Sequence, residues 1–109
     1  MTTDQARNCD DRRRYWEQRW VETLRSHGDD EYALLPVALE ALEEFPGDWQ
    51  FLYRAAVDEF RIAQQEPDFQ KQMEIYGRAA EHARLSLESD PDQSAARWVL
   101  EQVQGKIKA

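Results

Sequence analysis

The chain has 109 residues, of which 41% are hydrophobic and 33% charged, and its formal net charge is −8. This composition, with only four glycines and four prolines, indicates one soluble globular domain built from helices and disfavours a disordered chain or a many-stranded sandwich. Residues 1–27 hold six arginines and five acidic residues, whereas the rest of the chain is strongly acidic. Most of the surface should therefore repel nucleic acid and anionic membranes.

The first residues and the cysteine content favour a cytoplasmic location. The opening MTTDQARN lacks the apolar core of a secretory signal, and the longest apolar run, YALLPVAL, is too short to span a bilayer. Cys9 is the only cysteine, so it has no intramolecular disulfide partner and nothing indicates an oxidising compartment. We expect a cytoplasmic protein without membrane contact.

The first helical hairpin is predicted over residues 11–45, after a disordered tail over residues 1–10. Two aspartates at the end of the tail offer an N-cap for helix 1, and Gly28 provides its C-terminal stop. Apolar residues at helical spacing define the core face of this helix. These residues are Trp16, Trp20 and Leu24.

Pro36 makes the start of helix 2 ambiguous, because a proline inside a helix removes a hydrogen bond and clashes with the preceding turn. The helix starts either near Leu35, with Pro36 in its first turn, or near Asp30, with a kink at the proline. The run DDEYA is a good helix opening and favours the start near Asp30. The predicted core stripe is Leu35, Ala38, Leu42 and Phe45.

The second hairpin is predicted over residues 48–89, and a final helix over residues 92–107. Asp48 caps helix 3, which runs to about Gln65, and the turn EPD caps helix 4. Asp90 and Pro91 combine a cap residue with a proline at the first position of helix 5. The predicted core stripes are Trp49, Leu52, Ala56, Phe60 and Ala63 in helix 3, Phe69, Met73, Tyr76, Ala80, Ala83 and Leu87 in helix 4, and Ala96, Val99, Leu100, Val103 and Ile107 in helix 5. No segment alternates with period two for long enough to predict a strand, and the short connections imply antiparallel neighbours.

Two segments of the sequence align, ALEALEEFPGD and ARLSLESDPDQ, and they place Pro46 and Pro91 45 residues apart. The longer stretches GDDEYALLPVALEALEEFP and IYGRAAEHARLSLESDPD resemble the second helix of a tetratricopeptide repeat (TPR), with small residues at close helix contacts and a proline after the helix. The resemblance implies an all-α, TPR-like α-solenoid of about five antiparallel helices, namely two hairpins and a C-terminal capping helix. The family repeat has about 34 residues, and a 45-residue spacing also suits HEAT-like repeats. Other α-solenoid classes therefore stay open.

No motif predicts catalysis, a cofactor or a metal site. His27 and His82 stand alone, and the sequence has no CxxC, no HExxH and no glycine-rich phosphate loop. Adjacent carboxylates such as Asp58 and Glu59 face different directions on a helix, so we interpret them as a solvated surface rather than an acid–base pair. We expect no enzyme activity.

Four arginines in the stretch RRRYWEQRW could contact phosphates. Acidic residues are interleaved with them at spacings of three and four, which permits helix ion pairs between Arg19 and Glu22 and between Glu17 and the preceding arginines. This pairing disfavours nucleic-acid binding.

The leading functional hypothesis is a protein–protein interaction module that binds a peptide or helix. In the family that the chain resembles, first helices line a concave groove, and the resemblance assigns to this groove Tyr15, Arg19, Gln50, Tyr53, Val57, Phe60, Arg61 and Trp98. Tyr, Trp and Arg are enriched at binding hot spots, and the arginines suggest an acidic or C-terminal carboxylate ligand. A structural interpretation is that Phe60 and Trp98 only seal the joint between hairpins. The alternatives are an effector-sensing domain of a bacterial transcription regulator and a self-associating scaffold, such as a homodimer.

Overall fold

The computed structural model describes the backbone of residues 3–108 and the side chains of residues 9–107. Over these residues the chain forms five helices and no strand: α1 (Thr3–His27), α2 (Glu31–Glu44), α3 (Trp49–Gln65), α4 (Phe69–Ser89) and α5 (Ser94–Lys108). The predicted all-helical fold class is therefore confirmed. None of these described helices combines the length and apolar character needed to cross a membrane.

Aspartate caps begin three helices at the predicted places. The side chains of Asp30, Asp48 and Asp68 accept hydrogen bonds of 3.0–3.2 Å from backbone N–H groups in the first turns of α2, α3 and α4. Each bond satisfies an N–H that the helix itself leaves without an acceptor. After α1, Gly28 has a φ of 67°, which glycine adopts without steric cost. Local sequence signals thus set most of the helix boundaries.

Pro36 lies inside α2, which begins at Glu31 with Asp30 as its N-cap. The predicted start near Asp30 is confirmed. Proline has no backbone N–H, so the carbonyl of Tyr32, four residues earlier, lacks its helical donor. Pro36 itself is exposed, which leaves its ring outside the packed side of α2.

Two helix starts differ from the prediction. α1 begins at Thr3 rather than at residue 11, so residues 3–10, expected in a disordered tail, are helical, while residues 1 and 2 lie outside the described residues. α5 begins at Ser94, and Pro91 lies in the turn before it. The N–H of Asp90 donates to the carbonyl of Ser86 at 2.9 Å, so this aspartate closes α4 instead of capping α5.

The core consists of two clusters of buried side chains, and α3 contributes to both. The first cluster, formed with α1 and α2, contains Trp16, Val37, Ala38, Ala41, Phe51 and Ala55. The second, formed with α4 and α5, contains Ala56, Phe60, Ala63, Tyr76, Ala79, Ala83, Val99 and Val103. The many alanines allow the helices to approach closely. α3 is therefore the central element of the fold.

The predicted core stripes are partly wrong in all five helices: several buried residues fall outside them, and three residues assigned to them are exposed, namely Leu24, Phe69 and Ile107. Leu34 in α2 and Phe51 in α3 are almost fully buried but fall outside the stripes, because both helices pack against more than one neighbour. Phe69 is 73% exposed rather than buried. It is the first residue of α4, and the part of that helix packed on the core begins at Met73.

The two aligned segments of the sequence meet in space. The hydroxyl of Ser89, at the end of α4, donates to the carbonyl of Gly47 in the turn before α3 at 2.9 Å. The hydroxyl of Ser86 donates to the carbonyl of Trp49 at 2.9 Å and accepts from the side chain of Gln93 at 2.8 Å. The end of the second segment is thus hydrogen bonded to the end of the first.

α1 is joined to the rest of the molecule mainly through α2. Among the described residues no Cα of α1 comes within 8 Å of a Cα of α3, whereas α3 makes such contacts with α2, α4 and α5. Long side chains span the space between α1 and α3 instead. This spacing leaves a depression between the two helices.

Candidate functional site

One side of α3 carries a row of predicted groove residues. Tyr53 and Val57 are half-buried and pack against the cluster shared with α4 and α5, and Phe60 is 7% exposed within that cluster. The ring of Trp98, from α5, meets the ring of Phe60 edge-on at a centroid distance of 6.0 Å. Trp98 remains 54% exposed, so it both closes the joint between the helices and presents an aromatic surface.

The depression between α1 and α3 has a volume of about 150 Å³. Its lining includes three of the eight predicted residues, Tyr53, Val57 and Arg61, together with Trp20 of α1 and Asp58 of α3. Tyr53 and Val57 connect this depression with the surface around Phe60 and Trp98. We call this combined surface the α3 groove.

Arg61 is fixed by three carboxylates from different parts of the chain. Its guanidinium lies 2.8 Å from Asp29 in the turn after α1, 3.0 Å from Glu31 at the start of α2 and 4.0 Å from Asp58 on its own helix. Gln65 donates a further hydrogen bond to Glu31. The backbone N–H of Glu31 and then Gln65 lower the pKa of this glutamate. Arg61 therefore fastens the first hairpin to α3.

Arg54 closes the other part of the depression. Its two terminal nitrogens donate to the carboxylate of Glu17 at 2.9 and 2.8 Å, and this bidentate contact lowers the pKa of Glu17. The guanidinium carbon lies 4.8 Å from the ring centroid of Trp20 and 5.1 Å from that of Phe51, within cation–π range. Both arginines of the depression thus have their partners within the molecule.

Asp58 and Glu59 are buried, each 3% exposed, so the expectation of a solvated pair is wrong. Asp58 lines the depression, and its Oδ2 atom is buried without a hydrogen-bond partner. Burial raises its pKa to about 7, against the opposing effect of Arg61 and with a smaller contribution from nearby Asp29. The sequence holds a signal for the burial of Glu59 alone, which follows Ala56 by three residues and so lies on the predicted core stripe.

Glu59 faces a different opening, between α2 and α4. It contacts Nδ1 of His82, and both residues line a groove of about 260 Å³. The other lining residues are Leu35, Leu39, Ile62, Ile75 and Arg78. The sequence prediction missed this groove because it lies between α2 and α4, which both pack on α3 but not on each other, and no local pattern records that arrangement.

Tyr15, Arg19 and Gln50 are not gathered with the other predicted groove residues. Tyr15 contacts the ring of Trp16 at 5.0 Å and lies under the guanidinium of Arg12 at 4.6 Å. Arg19 lies 3.9 Å from Glu40 of α2, so these α1 residues lie towards α2. Gln50, at the start of α3, accepts a hydrogen bond of 2.9 Å from Arg13 of α1.

The arginine-rich stretch forms ion pairs between helices rather than the predicted pairs within α1. Arg12 binds Glu44 at the end of α2, and Arg13 binds Asp48, the N-cap of α3, at 2.7 Å. Arg14 contributes a contact within the helix, 3.9 Å from Asp11. The predicted partners Glu17 and Arg19 instead bind Arg54 and Glu40. A long side chain reaches past its own helix when a neighbouring carboxylate offers better geometry.

Comparison with known proteins found no match to this chain among family models, curated proteins or solved structures. Within the described part of the chain, no group of three or more His, Cys, Asp or Glu side chains is arranged to hold a metal ion.

Proposed function

We propose that the protein is an interaction module that binds a peptide or helix of a partner protein along the α3 groove. The observation that carries this proposal is Trp98, which exposes half of its surface while its ring rests on Phe60. A large aromatic side chain held by its neighbour loses little conformational freedom on binding, and tryptophan is the residue type most enriched at hot spots. Tyr53 and Val57 extend the apolar surface towards the depression.

A TPR-like stack is the arrangement that we propose for the scaffold. Its support is the sequence resemblance together with the hydrogen bonds that join the end of α4 to the turn before α3. The alanines at positions 38, 41, 79 and 83 are buried and lie in the two stretches that carry the resemblance, in which small residues are expected at close helix contacts. A stack of helical hairpins presents its surface on rigid elements, which lowers the entropic cost of binding.

The proposed contacts with the partner are aromatic and apolar. An acidic ligand, the first expectation from the sequence, would compete with carboxylates that already occupy the arginines. Arg61 is held by Asp29 and Glu31, and Arg19 lies beside Glu40. The Arg61 contacts also make Arg61→Ala a poor test of binding, because the substitution removes ion pairs that help to hold the first hairpin against α3.

A selection from a random peptide library displayed on phage tests the proposal. Peptides enriched on the full chain are expected to shift the NMR signals of α3 and α5, and Trp98→Ala is expected to weaken their binding at least tenfold. Phe69→Ala is the matched control, because Phe69 is also an exposed aromatic residue but lies at the start of α4. Thermal denaturation of both variants verifies that they remain folded.

Peptides that bind elsewhere, or that lose equal affinity in the two variants, would reject the α3 groove as the binding surface. Sedimentation velocity of the unliganded protein provides a separate check. A dimer that dissociates on Trp98→Ala would replace the peptide proposal with self-association through the same surface.

A further inference from the structure

The charges around the depression between α1 and α3 are not balanced. Arg54 is neutralised by its bidentate contact with Glu17. Arg61, in contrast, faces the three carboxylates of Asp29, Glu31 and Asp58. With all groups ionised, that end of the depression carries a net charge of −2, since three carboxylates surround one guanidinium. A positively charged ligand group therefore meets a favourable potential there.

Within the depression, the carboxyl group of Asp58 has an oxygen atom without a hydrogen-bond partner. Its side chain is 4% exposed, Oδ1 lies 4.0 Å from Arg61, and the buried Oδ2 has no hydrogen-bond donor within the described residues. Buried polar atoms in folded proteins nearly always have a partner. An ionised carboxylate only accepts hydrogen bonds, so in its charged form Asp58 lacks a donor. Because Oδ2 is buried, a ligand in the depression meets the carboxylate through Oδ1.

We propose that the depression receives a lysine side chain of the partner peptide, whose ammonium group donates to Asp58 and whose methylene stem packs on Tyr53 and Val57. This inference rests on the proposed function and specifies its ligand. The depression, at about 150 Å³, suits a compact ammonium on a flexible stem better than a third planar guanidinium beside Arg54 and Arg61. The half-buried ring of Tyr53 adds an aromatic wall, which attracts cations.

The ionisation of Asp58 couples this binding to pH. Burial raises its pKa to about 7, and the groups that face it are Arg61, Asp29, Glu31 and Glu59. An ammonium ligand requires the ionised carboxylate, whose population rises about tenfold between pH 6 and pH 8 for a group with that pKa. The affinity for the lysine side chain is therefore expected to rise by about the same factor.

The test titrates isotope-labelled full-length protein at pH 8 with three blocked tripeptides, Gly-X-Gly, in which X is lysine, norleucine or glutamate. The lysine peptide is expected to shift the side-chain carboxyl signal of Asp58 and the amides of residues 53–61 in a saturable manner. The norleucine peptide, which has the same stem without the ammonium, should bind at least tenfold more weakly. Asp58→Asn should abolish the preference for lysine, whereas Asp92→Asn, at an exposed position in the turn before α5, should retain it.

Equal affinity for lysine and norleucine, a preference for glutamate, or an unchanged preference for lysine in Asp58→Asn would overturn the inference. Any of these three results leaves the proposed function intact if the binding of library peptides still depends on Trp98. Conversely, the lysine tripeptide could bind as expected while no library peptide depends on Trp98 for its binding. That result would reject the groove proposal and retain the lysine site. The two proposals are thus separately testable.

Discussion

The buried carboxyl group of Asp58 makes a specific prediction about how stability depends on pH. Its ordinary pKa of 3.8 rises to about 7 in the folded protein because burial disfavours the charged form. Between these two values the folded protein binds a proton that the unfolded chain does not. Raising the pH through this range therefore lowers the free energy of unfolding.

The expected change in the free energy of unfolding follows from the pKa shift of Asp58. In the range where only the folded state binds this proton, the free energy of unfolding falls by about 1.4 kcal/mol per pH unit. From pH 5 to pH 7.5, and allowing for the levelling above pH 7, the free energy of unfolding should fall on the order of 2 kcal/mol. The lowered pKa values of Glu17 and Glu31 act in the opposite direction, but only as the pH falls through the acid range below about 4.5.

Urea denaturation at intervals between pH 5 and pH 7.5, for the wild type and for Asp58→Asn, measures this effect. Asparagine mimics the protonated carboxyl group, so the stability of the variant does not depend on the ionisation of this group. The variant should already be the more stable protein at pH 5, because the unfolded wild-type chain is ionised there, and its advantage should widen by on the order of 2 kcal/mol between pH 5 and pH 7.5. Subtracting the stability curve of one protein from that of the other cancels the contribution of titrating groups that the two proteins share.

Parallel curves for the two proteins would refute the reasoning, because they would mean that Asp58 does not change its ionisation between the folded and unfolded states in this range. A direct titration of the Asp58 carboxyl carbon by NMR decides the same point. A midpoint near pH 4 would show that water reaches Oδ2 and that burial does not raise its pKa.

Three further substitutions test the packing and capping of the helices by urea denaturation. Pro36→Ala should stabilise the protein by about 1–3 kcal/mol, since it restores a helical hydrogen bond at an exposed position; a loss of stability would show that the core requires the proline. Asp48→Ala should cost about 1–2 kcal/mol, and more than Asp68→Ala, because only Asp48 both caps a helix and binds an arginine of α1; equal losses would assign no net stability to that ion pair. Ala83→Leu should cost about 1–3 kcal/mol or more through overpacking, whereas Ala95→Leu at an exposed site should be nearly neutral.

The helices were largely predictable from the sequence because their determinants are local. Asp30, Asp48 and Asp68 cap the helices that follow them, and each acts within its own first turn. The N-cap of α5 was predicted incorrectly at Asp90 for a related reason. The residue is a good cap by composition, but its backbone closes the preceding helix, and the sequence alone does not show which helix uses it.

The site was less predictable because its contacts join distant parts of the chain. The spacing around Arg19 suggested a partner on the same helix, whereas the structure provides Glu40 of α2. Asp58 and Glu59 suggested a solvated surface, since adjacent residues on a helix face different directions. They are buried because α3 packs against α2, α4 and α5, so little of its surface remains open to solvent.

The position of Asp58 on this central helix gives the proposed ligand a thermodynamic consequence. Ionising the carboxyl group in the empty site costs stability, and an ammonium ligand binds the ionised form. A ligand at 100 times its dissociation constant stabilises a folded protein by about 2.7 kcal/mol, which is comparable to the loss expected between pH 5 and pH 7.5. The occupied protein should therefore be nearly as stable at pH 7.5 as the empty protein is at pH 5. A saturating lysine peptide should accordingly raise the unfolding midpoint of the wild type at pH 7.5, have a much smaller effect at pH 5, and leave Asp58→Asn unchanged at both.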